Sequence, residues 1–166
     1  MNKLEILSSK ILDPEQLRRA CVVWNFKNRK VVFTNGCFDI LHLGHIEYLA
    51  KAAELGDLLV VGINSDRSVH KIKGDRRPIN DERSRSMVVA SLEFVTAVVL
   101  FDEETPYELI KTIQPDILVK GKDYAIKDIV GHDIVMAKGG KVKTIGLTPG
   151  YSTTAIEQKI INLQKQ

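Results

Sequence analysis

The sequence predicts an α/β fold with a doubly wound parallel five-stranded sheet. Short, almost continuously apolar runs recur along the chain, as expected of strands that are covered on both faces. Longer amphipathic segments separate these runs, and this alternation is typical of parallel strands joined by right-handed helical crossovers. The length of 166 residues and the hydrophobic fraction of 44% are enough for one domain with a substantial core.

The first 28 residues predict a helical extension that precedes the sheet. Asp13, Pro14 and Gln16 predict the start of a helix in this segment. The N-terminus lacks the apolar core of a signal peptide, and no uncharged run approaches the roughly 20 residues that a membrane helix needs. We therefore expect one domain over residues 1–166, with 1–28 as its N-terminal extension, in the cytoplasm and without membrane contact.

Five segments have the strand pattern, and helices are predicted between them. The predicted strands are residues 31–34, 58–63, 95–101, 117–120 and 141–145. After the first strand, apolar residues at positions 46, 49, 50 and 53 form one helical face, and Gly56 is placed to end that helix.

The later helices are predicted from their capping residues. Asn80 is the candidate cap of the helix after the second strand, and Thr105 followed by Pro106 has the pattern of the next one. Thr154 and Glu157 have capping-box spacing at the start of the last helix.

Charge and cysteine content exclude some classes of protein. The 24 basic and 21 acidic residues leave a net charge of +3, too balanced to indicate a nucleic-acid or membrane-surface binder. The two cysteines, Cys21 and Cys37, form no CxxC pair, so free thiols in a reducing compartment are expected. The P-loop pattern and the GxGxxG fingerprint are both absent from the sequence, which argues against kinases, GTPases and dehydrogenases.

The segments that leave the strands contain the candidate site, because open parallel sheets bind ligands beyond the carboxyl ends of their strands. Most of these segments combine glycine with hydroxyl, amide or cationic residues, which are suited to phosphate. They are NGCFDILHLGH, NSD, KGKDY and LTPGYSTT.

His42 and His45 stand three residues apart in the first of these segments, with Gly44 between them. Three interpretations are open: zinc ligands, histidines with a purely structural role, and anion binding. Zinc would require a third ligand aimed at the same point. Anion binding is favoured, because imidazole N–H groups and the amides near Gly36 would meet an anion where the helix dipole already favours negative charge.

Two further segments fit the same site. Ser152, Thr153 and Thr154 present hydroxyls and amides at a helix N-terminus, although capping alone would also explain them. The segment KIKGDRRP, which includes Lys73 and Arg77, suits a mobile clamp over phosphates, with a solvated charged face as the alternative.

These residues carry a resemblance to a known family. GCFDILHLGH resembles the GxFDxxHxGH signature of the cytidylyltransferase-like nucleotidyltransferases, and PGYSTT resembles their second motif. The similarity extends through VGINSD, KGDRRPIN, PDILVKGKDY and GGKVKTI, where it is most like the branch that adenylylates a heptose 1-phosphate. It covers nearly the full chain.

The resemblance implies a Rossmann-like nucleotidyltransferase fold and a reaction. ATP and a sugar 1-phosphate would give an ADP-sugar and pyrophosphate, with Mg²⁺ accompanying ATP. The resemblance further implies small-molecule partners only, no nucleic acid, and a homodimer or higher homo-oligomer.

The resemblance also implies roles for individual residues. The catalytic residues would be His42, His45 and Lys73. The nucleotide would contact Asn35, Gly36, Cys37, Phe38, Gly44, Arg85, Lys120, Gly121, Lys122, Asp123, Tyr124, Ser152, Thr153 and Thr154. The acceptor substrate would contact Asp39, Asn64, Asp66 and Arg77. Asp39 is also a candidate magnesium ligand, with capping of loop amides as the alternative, and Arg83 is an alternative to Arg85.

Two other functions stay open at this point. A glycerol-3-phosphate-type cytidylyltransferase would use CTP, since the shared motifs bind phosphates and do not distinguish bases. A non-catalytic nucleotide-binding module would use the same sheet edge without turnover, although the paired histidines and the basic loop argue against it.

Overall fold

A computed structural model of the protein describes residues 2–122 and 125–164. Helices cover both faces of one parallel sheet. In chain order the elements are α1 (Lys3–Ser8), β1 (Ile11–Leu12), α2 (Pro14–Phe26), β2 (Val31–Gly36), α3 (Leu43–Ala53), β3 (Leu58–Asn64), α4 (Asp66–Lys73), α5 (Glu82–Ala90), β4 (Ala97–Phe101), α6 (Tyr107–Ile113), β5 (Ile117–Gly121), a 3₁₀ turn (Ile126–Asp128), α7 (His132–Ala137), β6 (Lys141–Ile145) and α8 (Thr153–Leu163). Within the described residues, no helix is long and apolar enough to cross a membrane.

The parallel α/β architecture is confirmed, but the predicted number of five strands is wrong. The sheet has six strands in the order β1-β4-β3-β2-β5-β6. The additional strand is β1, which pairs with β4 through Ile11 with Val98 and Leu12 with Val99. A strand of two residues is too short to show periodicity, and it lies inside the segment 1–28 that was predicted to be helical.

The sheet divides at the carboxyl end of β2. The ladder between β2 and β3 runs as far as Gly36 and Ile63. The ladder between β2 and β5 ends at Phe33 and Leu118, although both strands continue beyond those residues. The chain order also reverses here, since β3 and β4 lie on one side of β2 and β5 and β6 lie on the other. A crevice at such a switch point is the usual ligand site of an open α/β sheet.

Two hydrophobic clusters, one on each face of the sheet, explain the continuous apolar runs. Phe33, Val60 and Leu118 belong to one cluster, and their chain neighbours Val32 and Val61 belong to the other. Successive side chains of a strand point to opposite faces, so both sets must be apolar when both faces are covered.

Helix starts agree with the sequence in one case and differ in three. Helix α2 starts where Asp13 and Pro14 predicted it, and Asp13 and Gln16 form a capping box there. Asp81, not Asn80, caps α5, because the Asn80 side chain donates to the carbonyl of Asp39 instead. Ser152, not Thr154, caps α8. Helix α6 starts after Pro106 with no side-chain cap, so Thr105 does not form the predicted cap.

Gly131, at the start of α7, packs closely against Ile110 of α6. Its φ of +84° is unfavourable for any residue with a Cβ, and a Cβ there would lie 2.6 Å from Cδ1 of the buried Ile110. Gly139 has a similar φ of +82° but no atom within 4 Å of its Cβ position, so it is a matched control for backbone strain alone.

We expect Gly131→Ala to lower the free energy of unfolding by about 1–3 kcal/mol more than Gly139→Ala, because only the former adds overpacking to the strain. Urea unfolding of both variants measures the difference. Equal losses would contradict the close packing of Gly131 on Ile110.

Candidate active site

The site lies where β2 leads into α3. His42 is the N-cap of α3 in an extended conformation (φ −140°, ψ 170°), and its side chain makes no capping hydrogen bond. His45 follows in the first turn of the helix. The two imidazoles stack with ring centroids 3.8 Å apart and an angle of 19° between their planes. Both rings therefore lie at the positive end of an eleven-residue helix.

Burial favours the neutral form of both imidazoles. It lowers the pKa of His45 to about 4, with a further contribution from the nearby His42. Burial also lowers the pKa of His42 below its usual value. The Nδ1 atoms of both rings are buried and have no hydrogen-bond partner among the described residues. A buried polar atom without a hydrogen-bond partner destabilises the fold unless a ligand or water supplies that hydrogen bond. The histidine pair is therefore suited to a polar ligand.

The loop before the histidines is shaped by close contacts. Phe38 has a φ of +48°, which is uncommon for a residue other than glycine, and its ring packs edge-on against His45 with centroids 5.3 Å apart. A Cβ on Gly36 would lie 3.1 Å from that ring. A Cβ on Gly44 would lie 3.2 Å from the His42 ring and 3.3 Å from Cβ of Tyr151. Gly44 thus lets the segment before α8 approach the histidines.

The N-terminus of α8 faces α3 across a cavity of about 380 Å³, here called the first cavity. Its lining residues are Cys37, Phe38, Asp39, His45, Val69, Lys73, Arg77, Thr153 and Thr154. Ser152 caps the helix by accepting a hydrogen bond from the amide of Ala155 at 3.1 Å. Two helix N-termini, a histidine, a lysine and two threonines therefore surround one space that suits an anion.

Asp39 holds the walls of this cavity together. Its carboxylate accepts hydrogen bonds from Arg77 Nη1 at 2.8 Å and from the amides of Ile79 and Asn80 at 2.9 Å. Burial works to raise the pKa of Asp39, but these hydrogen bonds outweigh it and hold the pKa below its usual value. Arg77 also pairs with Glu157 on α8. The predicted substrate residues Asp39 and Arg77 thus connect the histidine loop to the last helix.

A metal cage is not formed around these groups. Across residues 2–122 and 125–164, no three His, Cys, Asp or Glu side chains lie close enough to hold a metal ion. Both oxygens of Asp39 accept hydrogen bonds, and the amides that donate to them belong to residues 79 and 80 rather than to the histidine loop itself.

A second cavity, of about 350 Å³, lies on the other side of Lys73. Cys37 and Lys73 line both cavities. The remaining lining residues of the second cavity are Asn35, Gly36, Asn64, Ile72, Glu104, Thr105, Pro106, Lys120, Asp128, Ile129 and Val130. Lys73 is the last residue of α4. Because it lines both cavities, it lies at the boundary between them.

Lys120 bridges the crevice at the switch point. Its ammonium donates to Oδ1 of Asn35, joining β5 to β2 where their ladder has already ended. Burial lowers the pKa of Lys120 to about 8. Asn35 is a neutral partner, and no carboxylate within residues 2–122 and 125–164 pairs with Lys120. A largely buried cation in such surroundings is suited to an anionic ligand.

Arg85 is paired through its side chain with other groups of the protein. Its side chain is fully buried and donates to the carbonyls of Cys37 at 2.6 Å and Asn80 at 3.0 Å and to the carboxylate of Asp66 at 2.8 Å. It lines neither cavity. We therefore interpret Arg85 and Asp66 as a frame behind the site rather than as ligand-binding groups. Arg83, the alternative, is exposed.

The remaining predicted residues divide into three groups. Asn64 is buried beside the second cavity and donates to Ser68 at 3.0 Å. Gly121 is the last residue of β5, and the amide of Lys122, which follows it, donates to the carbonyl of Ile145. Asp123 and Tyr124 lie outside the described residues.

Sequence reasoning missed several residues of this region. Glu157 was interpreted only as a capping partner, whereas it reaches Arg77. Tyr151 packs on Gly44, and Glu104 and Asp128 line the second cavity. No spacing pattern connects these residues to the histidine loop, because the contacts depend on where the chain returns to the sheet edge.

The fold and the comparisons define the class of protein: the chain is an α/β enzyme of the nucleotidyltransferase class. The family model described as cytidylyltransferase-like matches residues 33–159. The chain belongs to this family, and the implied resemblance is confirmed.

Curated relatives agree with this assignment. The chain is 52% identical over 91% of its length to the bifunctional protein HldE of Wolinella succinogenes, covering 31% of that protein. It is 49% identical over 93% of its length to the bifunctional protein HldE of Citrifermentans bemidjiense, covering 32% of it. The chain thus spans about a third of the length of these relatives.

Two solved structures are similar. The lipopolysaccharide core biosynthesis protein from Thermoplasma volcanium matches with a TM-score of 0.58 and 32% identity, over 72% of this chain and 97% of that one. The pantoate–β-alanine ligase from Francisella tularensis matches with a TM-score of 0.55 over 94% of this chain and 79% of that one. At 18% identity, the second match supports the fold alone.

Arg85 and Arg83 give the first prediction for the site. We expect Arg85→Ala to lower the free energy of unfolding by about 2–4 kcal/mol. Breaking a fully buried ion pair costs about 3–5 kcal/mol. The expected loss is smaller because Asp66 is partly exposed. Arg83→Ala, on the same helix but exposed, should change stability by less than about 0.5 kcal/mol. Denaturant unfolding measures both, and an Arg85→Ala protein as stable as Arg83→Ala would contradict the frame.

The His45 pKa gives the second prediction. The folded protein should protonate His45 near pH 4, whereas the unfolded chain protonates it near 6.5, so its contribution to stability is lost as pH falls through this window. Replacing His45 by Gln should therefore flatten the pH dependence of stability between pH 6.5 and 4 by up to about 1.4 kcal/mol per pH unit. NMR titration of the imidazole measures the pKa directly, and a midpoint near 6.5 would contradict the buried neutral pair.

Proposed function

We propose that the chain transfers AMP from ATP to the phosphate of D-glycero-β-D-manno-heptose 1-phosphate, forming ADP-heptose and pyrophosphate. The observation that carries this proposal is the meeting of two cavities at Lys73. The first cavity has the groups expected for a triphosphate, and the second adjoins it at the point where an acceptor phosphate would attack.

The arrangement suits a reaction that needs no general base. The attacking oxygen belongs to a phosphate that is already ionised at neutral pH, so no residue has to remove a proton from it. The protein must instead bring two anions together and stabilise the charge that develops on the α-phosphate during in-line transfer. Neutral imidazoles serve this purpose as hydrogen-bond donors, since proton transfer is not required.

The residues around the first cavity would share this work. His42 and His45 would donate to oxygens of the α- and β-phosphates from the N-terminus of α3. Ser152, Thr153 and Thr154 would hold the β- and γ-phosphates at the N-terminus of α8. Lys73, at the boundary of both cavities, would neutralise the transferred phosphate and the acceptor phosphate together.

Magnesium fits this site as a companion of the nucleotide. Mg²⁺ commonly binds through substrate phosphates and retains several waters, which agrees with the lack of a protein cage among the described residues. When bound, it would supply charge neutralisation on the departing pyrophosphate.

The relatives and the sequence resemblance support heptose as the acceptor. The segments PDILVKGKDY and GGKVKTI resemble the heptose 1-phosphate adenylyltransferase branch, and the similarity to HldE proteins covers most of the chain. A structural neighbour is a lipopolysaccharide core biosynthesis protein, which agrees with a product destined for a surface glycan.

Pyrophosphate release tests the proposal. The protein is incubated with Mg²⁺ and heptose 1-phosphate, and ATP is compared with CTP. We expect release with ATP only. Release with CTP and glycerol 3-phosphate would favour the cytidylyltransferase alternative, and nucleotide binding without any release would favour a binding module.

Replacing His45 tests the mechanism. We expect His45→Ala to lower kcat by about 100- to 1,000-fold, the usual effect of removing one preorganised donor to the transition state. His132→Ala, on α7 and outside both cavities, should keep wild-type turnover. Circular dichroism checks that both variants are folded, and a fully active His45→Ala enzyme would refute the assigned role.

A further inference from the structure

The second cavity differs from the first in the charge of its lining. Among the described residues that line the first cavity, the only carboxylate is that of Asp39, which Arg77 neutralises. The second cavity is lined by the carboxylates of Glu104 and Asp128, and neither side chain has a hydrogen-bond or ion-pair partner within the residues that the structure describes. Unneutralised carboxylates repel a triphosphate, so the second cavity is poorly suited to one.

The cationic and anionic residues of the second cavity lie in different parts of its lining. Its cations, Lys73 and Lys120, lie at the boundary with the first cavity and at the crevice between β2 and β5. Glu104 follows β4 and Asp128 ends the 3₁₀ turn after β5, and both are exposed. A ligand that fits this lining has an anionic end toward Lys73 and uncharged hydrogen-bond donors toward the rim.

A polyhydroxylated sugar phosphate has this distribution of groups. A carboxylate is an acceptor with two oxygens, so each rim residue can accept hydrogen bonds from sugar hydroxyls. Ile72, Pro106 and Ile129 provide apolar walls against which the C–H groups of a sugar ring can pack. The buried Asn64 adds a neutral polar group to the lining.

We propose that the second cavity is the acceptor subsite, in which Glu104 and Asp128 select the sugar by accepting hydrogen bonds from its hydroxyls while Lys73 holds its phosphate. The assignment rests on the proposed function. It adds two specificity-determining residues that the strand-end motifs did not indicate, and it separates the acceptor from the nucleotide along the sheet edge.

The kinetic test uses Glu104→Gln and Asp128→Asn, which keep the size of each side chain and remove its charge. Glu103→Gln is the matched control, because Glu103 neighbours Glu104 but does not line the second cavity. We expect kcat/KM for heptose 1-phosphate to fall by about 5- to 10-fold in each rim variant, because the amide oxygen still accepts a hydrogen bond but without the charge that strengthens it. The KM for ATP should stay within twofold of wild type, and Glu103→Gln should match wild type in both.

A binding test does not depend on turnover. Amide NMR signals of the wild-type protein are followed during titration with heptose 1-phosphate alone and, separately, with Mg²⁺ and ATP. We expect the sugar phosphate to shift signals of residues 104–105 and 128–130, and ATP to shift mainly those of 42–45 and 152–154.

The outcomes distinguish the two proposals. Normal turnover with unchanged kinetics in both rim variants would overturn the acceptor assignment and leave the proposed function intact. An inactive wild-type protein would refute the proposed function. In that case, shifts at the rim with the sugar phosphate would still support a sugar-phosphate subsite. Rim shifts with ATP, or none with the sugar phosphate, would overturn it.

Discussion

The separation of β5 from β2 beyond Phe33 and Leu118 is the constraint on which the site depends. If the ladder continued to the ends of both strands, backbone would fill the space that the crevice occupies. Because it stops, the carboxyl ends of the central strands surround an opening, and Lys120 reaches across it to Asn35. The segments that leave β2, β3, β4 and β5 all contribute to the second cavity, while the return of the chain to α8 closes the first.

The charged and polar groups of the site form two sets: those that pair with one another and those that are left for a ligand. Asp39 with Arg77, and Asp66 with Arg85, neutralise each other and connect loops that are distant in sequence. Such pairs restrain the walls of the cavities. His45 in the first turn of α3, Lys73, and Thr153 and Thr154 at the N-terminus of α8 are left facing the first cavity, and His42 stacks on His45. A site built in this way attracts anions through dipoles and a few cations, which is consistent with the small net charge of the whole chain.

The sequence predicted what depends on local pattern. Continuous apolar runs located five strands, and the motif around His42 and His45 located the end of β2, because both signals come from neighbouring residues. The strand Ile11–Leu12 was missed, since two residues have no period. The burial of Arg85 was missed for a different reason: an arginine on a helix near a phosphate motif is compatible with either a ligand or a frame, and only the position of Asp66 and the carbonyl of Cys37 decides between them. Glu104 and Asp128 have no motif and come together only through the order of the strands.

A crystal structure of the protein with Mg²⁺, heptose 1-phosphate and an ATP analogue that has a methylene group between its α- and β-phosphorus atoms tests the central claim most directly. The account predicts that the α-phosphorus lies beside His45 and Lys73, with the acceptor phosphate in line with it and the sugar hydroxyls toward Glu104 and Asp128. A triphosphate in the second cavity, or an acceptor bound away from Lys73, would contradict the account of two cavities that meet at one phosphate.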